Sequence, residues 1–77
     1  MKKLVVIPFN EVVCRVLTEE GAHVGNLKRI NAAWKFKAIG YEPDGDIVPG
    51  GGPLTHRHNL SFDLLDEAEI CRCLSAA

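Results

Sequence analysis

Two neighbouring segments alternate in hydropathy with period two: Gly25-Asn26-Leu27-Lys28-Arg29-Ile30, then Trp34-Lys35-Phe36-Lys37-Ala38-Ile39-Gly40-Tyr41. Such alternation puts successive side chains on opposite sides of an extended chain, and the short gap between the segments implies a hairpin. With Asn31-Ala32 as a two-residue loop, Ile30 opposes Ala33, Arg29 opposes Trp34, Lys28 opposes Lys35 and Leu27 opposes Phe36. This register sends Leu27, Trp34, Phe36 and Ala38 to one face, and Lys28, Lys35 and Lys37 to the other. Asn31 accepts a left-handed backbone readily and Ala32 poorly, so a slightly longer loop is the alternative.

The rest of the chain is read around this hairpin, whose strands are set at residues 22–30 and 33–41. Residues 4–7 are a continuous aliphatic run, expected to be a strand covered on both sides and ended, or set on a sheet edge, by Pro8. Residues 11–18 fit either period. Val12, Val13, Val16 and Leu17 make a helical stripe, with Asn10 as N-cap and Gly21 just past the C-terminus. The β-branched content, and Glu19 and Glu20 at the negative end of a helix dipole, favour a strand instead. Glu19-Glu20-Gly21 then becomes a hairpin loop with Gly21 left-handed.

Pro43-Asp44-Gly45 is a turn signal that returns the chain through Asp46-Ile47-Val48 as a short strand. Residues 49–53, Pro-Gly-Gly-Gly-Pro, read as an irregular loop. Residues 61–74 read as a helix with Leu64, Ala68 and Cys71 on one face, flanked by Leu65 and Leu74. Asn59 or Ser61 would cap it, and Asp63, Asp66 and Glu67 would lie near its positive end. The expected fold is α+β: a small antiparallel β-meander of four to five strands with one C-terminal α-helix packed on a face.

Composition bounds what such a chain can do. Its 77 residues fit a single domain, 1–77, with no repeat or long linker. A chain this short buries only about 60% of its unfolded surface, so its core stabilises it by a few kcal/mol and self-association is expected. A net charge of −1 gives no long-range attraction to nucleic acid or to an anionic membrane. Three cysteines do not all pair within one chain, which fits a reducing, cytoplasmic setting. Lys2 and Lys3 before an apolar run imitate a secretory signal, but the run stops short at Pro8 and Asn10. No stretch has the roughly 20 apolar residues of a membrane span.

The hairpin resembles that of the tellurium-resistance TerD-like stress proteins. In those, a glycine, a leucine, an arginine and a turn asparagine lead into Trp-Lys-Phe-basic-Ala-Ile-Gly. The matching residues are Gly25, Leu27, Arg29, Asn31, Trp34, Lys35, Phe36, Lys37, Ala38, Ile39 and Gly40. The resemblance implies a β-sandwich-like hairpin edge. The family binds calcium through aspartate-rich loops upstream of the hairpin, and no aspartate precedes Gly25 here, so calcium is not implied.

Residues 50–59 hold the main candidate ligand site: Thr55, His56, Arg57, His58 and Asn59, hydrogen-bonding groups between a glycine loop and a helix start. In that setting they would cradle an anion, phosphate or nucleotide. The structural alternative is that the glycines only let the chain turn while Thr55 and Asn59 cap the helix. The spacing matches neither the Walker nor the dinucleotide pattern.

His56 and His58, with His23 or a cysteine, lack zinc-module spacing, and Cys71 and Cys73 diverge on a helix turning ~100° per residue, so no metal is assigned. Cys71 reads as a small hydrophobe on the packed face and Cys73 as an exposed thiol. Cys14 with a histidine and a carboxylate is too generic to define a nucleophile, so an enzyme is disfavoured and no cofactor is implied.

Lys28, Lys35 and Lys37 form a candidate basic face that imitates an RNA platform. The register places Trp34 and Phe36 on the opposite side, which separates stacking from charge and disfavours nucleic acid. The structural alternative is a solvated lysine face that resists aggregation, with Arg29 stacked on Trp34 as a structural cation–π contact. The chain is therefore expected to be a small binding domain, with a protein partner or its own twin as ligand. The alternatives are a small anion at residues 50–59 and RNA on the basic hairpin, and no membrane is implied.

Overall fold

The structure, a computed structural model, describes residues 3–75. Six strands, β1 (Leu4–Pro8), β2 (Val13–Thr18), β3 (His23–Ile30), β4 (Ala33–Tyr41), β5 (Ile47–Pro49) and β6 (Ser61–Phe62), precede the helix α1 (Glu67–Ser75). They form one antiparallel sheet in the order β1-β2-β3-β4-β5, and β6 also pairs with β4. The α+β meander with a C-terminal helix is present, with six strands where four to five were expected.

The β3–β4 hairpin has the register that the hydropathy dictates, from Gly25 opposite Ala38 to Ile30 opposite Ala33. Its loop is the two-residue Asn31-Ala32, both left-handed, with φ of 50° and 66°. A turn of that hand matches the strand twist. The cross-strand ladder therefore holds Ala32 in a conformation that costs an L-residue about 1 kcal/mol.

Residues 11–18 resolve as the strand β2. Asn10 does not cap a helix: its Oδ1 accepts the Val12 N–H at 2.9 Å and closes a turn. Beyond β2, the Thr18 N–H donates to the Ala22 carbonyl at 2.9 Å, and Gly21 is left-handed as expected.

Pairing between β2 and β3 contains a bulge. Val16 opposes Gly25 while Leu17 opposes His23, so Val24 is an extra residue. By parity alone His23 would share the inner face with Gly25 and Leu27. The inserted residue instead turns Val24 into the core and His23 out to the other side of the sheet. A Cβ at Gly25 would overlap the Phe36 ring and sit 2.9 Å from the Lys37 carbonyl. Gly25 leaves room for the ring, and Val24 fills the adjacent core.

The outer edge of β4 is divided. Residues 39–41 pair with β5, and Trp34 and Lys35 pair with Phe62 and Ser61 of β6. That pairing shortens the expected helix over 61–74 at its start. The backbone of residues 59–62 is held by β4, with the Phe36 N–H donating to the Leu60 carbonyl and the Asn59 N–H to the Phe36 carbonyl, both at 2.8 Å. The helix begins only at Glu67, after Asp66, whose Oδ1 accepts the Glu69 N–H. Its buried residues are Ile70 and Leu74, while Leu64 is 76% exposed and lies outside the helix. The expected stripe of Leu64, Ala68 and Cys71 is replaced by Ile70 and Leu74, with Cys71 packed beside them.

β1 was expected to be covered on both faces, but its outer face is open, with Ile7 46% exposed; it lies at the sheet edge, one of the two places Pro8 allowed. α1 covers part of its outer edge. Glu67 Oε2 accepts the Val6 N–H at 2.9 Å, and the Cys71 thiol donates to the Leu4 carbonyl at 3.2 Å. Pro8 has no N–H to offer. The first edge of the sheet is thus partly covered, which leaves less of it open to pair with another chain. The core lies between the inner sheet face and α1: Leu4, Cys14, Val16, Val24, Leu27, Phe36 and Ala38 against Ile70 and Leu74.

Candidate functional site

With α1 on one side, the opposite face of the sheet is left open. The pairing of β2, β3 and β4 puts Arg15, Asn26 and Lys37 across one row and Lys28 opposite Lys35 in the next. Two cations directly opposite each other repel, at a cost of a few tenths of a kcal/mol or more. The ion pair among the described residues lies elsewhere, between Arg72 and Glu69 on α1. The acidic residues of the sheet fall in turns, Glu11 before β2, Glu19 and Glu20 before β3, and Glu42, Asp44 and Asp46 before β5. A chain with net charge −1 therefore still carries a concentrated positive face.

This face is concave. A cavity of about 460 Å³ is lined by Asn26, Lys28, Lys37 and His58, with Val13 and Ile39 as its apolar floor and Pro49 and Gly50 at its wall. A smaller hollow of about 170 Å³ shares Val13 and Asn26 with it and adds Phe9, Arg15 and His23. No residue lining either hollow is acidic.

The five residues singled out in the 50–59 segment do not form one cradle of outward donors. Thr55 begins a 3-10 turn, Thr55–Arg57, and its hydroxyl donates to the Gly50 carbonyl at 2.6 Å. His56 is exposed, and Arg57 is partly buried with its N–H bonded to the Leu54 carbonyl. His58 turns inward, where its Nδ1 accepts the Ala38 N–H at 3.1 Å. It fills the gap in the β4 edge between β5 and β6, and the bond fixes the neutral tautomer protonated at Nε2. Asn59, left-handed at φ 73°, accepts from Lys37 Nζ at 2.6 Å. The loop thus delivers His58 and Asn59 to the lysine face and leaves His56 outside it. The two candidate sites read from the sequence meet here.

The open face also holds residues that the sequence reading did not place there. Phe9 lies under the Arg15 guanidinium, 5.4 Å from carbon to ring centroid. This is the cation–π contact that forms among the described residues, rather than the expected pair of Arg29 and Trp34. His23 Nε2 donates to Asn26 Oδ1 at 2.8 Å, which leaves Nδ1 to accept the Tyr41 hydroxyl at 3.2 Å. The parity of β4 gives Tyr41 in the sequence. His23 is hidden there, because the bulge reverses its side.

Cys14 is buried at 1% exposure, and burial pushes its thiol pKa up, so it is a poor nucleophile. Cys71 is also raised, by burial and then by Glu67, with Lys3 opposing. Cys73 is half-buried rather than exposed and lines a third hollow beside Phe62 and Glu69. Among the described residues no three His, Cys, Asp or Glu side chains converge as metal ligands, and no helix is long and apolar enough to cross a membrane. Comparison with protein-family models, with curated proteins and with solved structures finds no significant match.

Proposed function

We propose that the chain is a non-catalytic binding domain that takes an anionic ligand on the open face of its sheet. The carrying observation is the set of Arg15, Lys28 and Lys37 lining two adjoining hollows that hold no acid, with Lys35 opposite Lys28 on the same face. A local clash of like charges that the fold leaves uncompensated is expected where a ligand supplies the missing charge. His58 and Asn26 add hydrogen-bonding groups at the same hollow. The burial of Cys14 supports the reading against an enzyme. Three unpaired thiols, Cys14, Cys71 and Cys73, support a reducing, cytoplasmic compartment. The TerD-like hairpin remains a proposal of shared local design, without calcium.

Amide NMR titration with inorganic pyrophosphate tests the site. Shifts centred on Asn26, Lys28, Lys37, Ala38 and His58, weakened by Lys28→Gln and Lys37→Gln and by added salt, are expected. Shifts absent at these amides up to millimolar ligand refute it. The second reading is a twin of the chain, supported by exposed Ile7, Phe9 and Ile30 near one end of this face. Sedimentation equilibrium at micromolar concentration separates the two, since a ligand-free dimer would favour the twin.

A further inference from the structure

We propose that the anionic ligand is a single-stranded nucleic acid, with phosphates held by Arg15, Lys28 and Lys37 and bases stacked on Phe9 and Tyr41. This rests on the anion-binding reading and deepens it. The sequence argument against nucleic acid was that the hairpin aromatics, Trp34 and Phe36, lie opposite the lysines. The structure supplies two other aromatics on the lysine face itself, Phe9 at 65% and Tyr41 at 50% exposure. Leaving such rings in water forgoes roughly 1.5–3 kcal/mol of burial for a fully exposed side chain, so two on one cationic face call for a partner with flat apolar surfaces.

The two rings are joined by a continuous path across the sheet. Phe9 packs under Arg15, Arg15 opposes Asn26, Asn26 bonds His23, and His23 bonds Tyr41. The hydrogen bonds of His23 tether the tyrosine, whose ring lies 6.5 Å from the imidazole centroid to centroid. From β1 to β4 there are three strand spacings, and from the level of Phe9 to Tyr41 about six residues. At ~4.8 Å and ~3.3 Å respectively, the two Cα positions stand roughly 25 Å apart, and the rings lie closer, since Phe9 shares a small hollow with His23 and His23 lies 6.5 Å from Tyr41. A span of this order suits a site at the short end of single-strand footprints, at most about four nucleotides.

Beside this path, and sharing Asn26 with it, the larger hollow offers Lys28 and Lys37 for phosphate, and the Asn26 amide and His58 for base edges. The bulge that turns His23 onto this face thereby completes the path. A duplex hides its base faces and would leave both rings unpartnered. An acidic peptide would answer the cations and leave the rings idle.

The test is fluorescence anisotropy of the full chain with a labelled thymidine oligomer of about eight nucleotides and with an abasic oligomer of the same backbone and length. We expect the base-bearing oligomer to bind at least tenfold more tightly, and Phe9→Leu and Tyr41→Leu each to narrow that gap. The slope of log affinity on log salt should be about −2 for three phosphates, at roughly 0.7 each on a single strand. Lys28→Gln should make it shallower by about 0.7. Equal affinity for the two oligomers in the unmutated protein overturns the stacking inference and spares the anion site. So does a gap that both aromatic variants leave intact. If neither oligomer binds, this inference and the anion-binding reading both fall.

Discussion

Substituting Gly25 by alanine puts a methyl group where the Phe36 ring already is. The added Cβ would overlap Cε1 and Cζ of a ring that is fully buried, and would lie 2.9 Å from the Lys37 carbonyl. Neither obstacle is the loose end of a flexible side chain, so the ring must leave its rotamer or β3 must move from β4. Overpacking of this kind costs about 1–3 kcal/mol. Replacing a mid-strand glycine returns about 0.5–1 kcal/mol through the unfolded chain. The net expectation is a destabilisation of about 1 kcal/mol, or a fall in Tm of about 6 °C for a domain of this size. Urea unfolding followed by the fluorescence of Trp34, the single tryptophan, measures it. Phe36→Leu makes room for the methyl, so Gly25→Ala in that background should cost at least 1 kcal/mol less than in the parent. Additive effects in the double variant, or a neutral Gly25→Ala, would refute the packing account of the bulge.

Three further outcomes follow from the edges and the thiols. Glu67→Ala removes the acceptor for the Val6 N–H; it should cost about 1 kcal/mol and produce concentration-dependent association through β1, read by light scattering. His58→Ala leaves the part-buried Ala38 N–H without its acceptor, and a loss of about 1–3 kcal/mol with faster hydrogen exchange at Ala38 is expected. The Cys14 and Cys71 thiols titrate above the ordinary 9.0 in the folded chain, so the folded state holds its protons longer than the unfolded one. Their contribution is intact below about pH 9 and is lost as pH rises beyond it, by at most about 1.4 kcal/mol per unit per thiol. A stability that stays flat in Cys14→Ala/Cys71→Ala, where the parent falls, checks the assignment.

The candidate site was half legible. Lys28, Lys35 and Lys37 could be placed together because they lie on one strongly alternating hairpin. Arg15 and Phe9 required knowing that β1 and β2 extend the same sheet, which the ambiguous residues 11–18 obscured. His58 could be picked out as unusual, but its role could not be read. Its partner, the Ala38 N–H, lies 20 positions away and is exposed only because β5 stops where β6 has yet to begin.

Hydropathy period alone determined the hairpin, its register and the division of Trp34 and Phe36 from the lysines, because a strand's side chains alternate regardless of what surrounds it. The end of the chain was different. Residues 61–62 carry a helical pattern yet become strand, since β4 had unpaired backbone groups that no local propensity records. Tertiary pairing also inserted the bulge at Val24, and with it decided that His23 faces the open side. Local spacing is a property of the chain, but the satisfaction of a strand's second edge is a property of whatever comes to lie beside it.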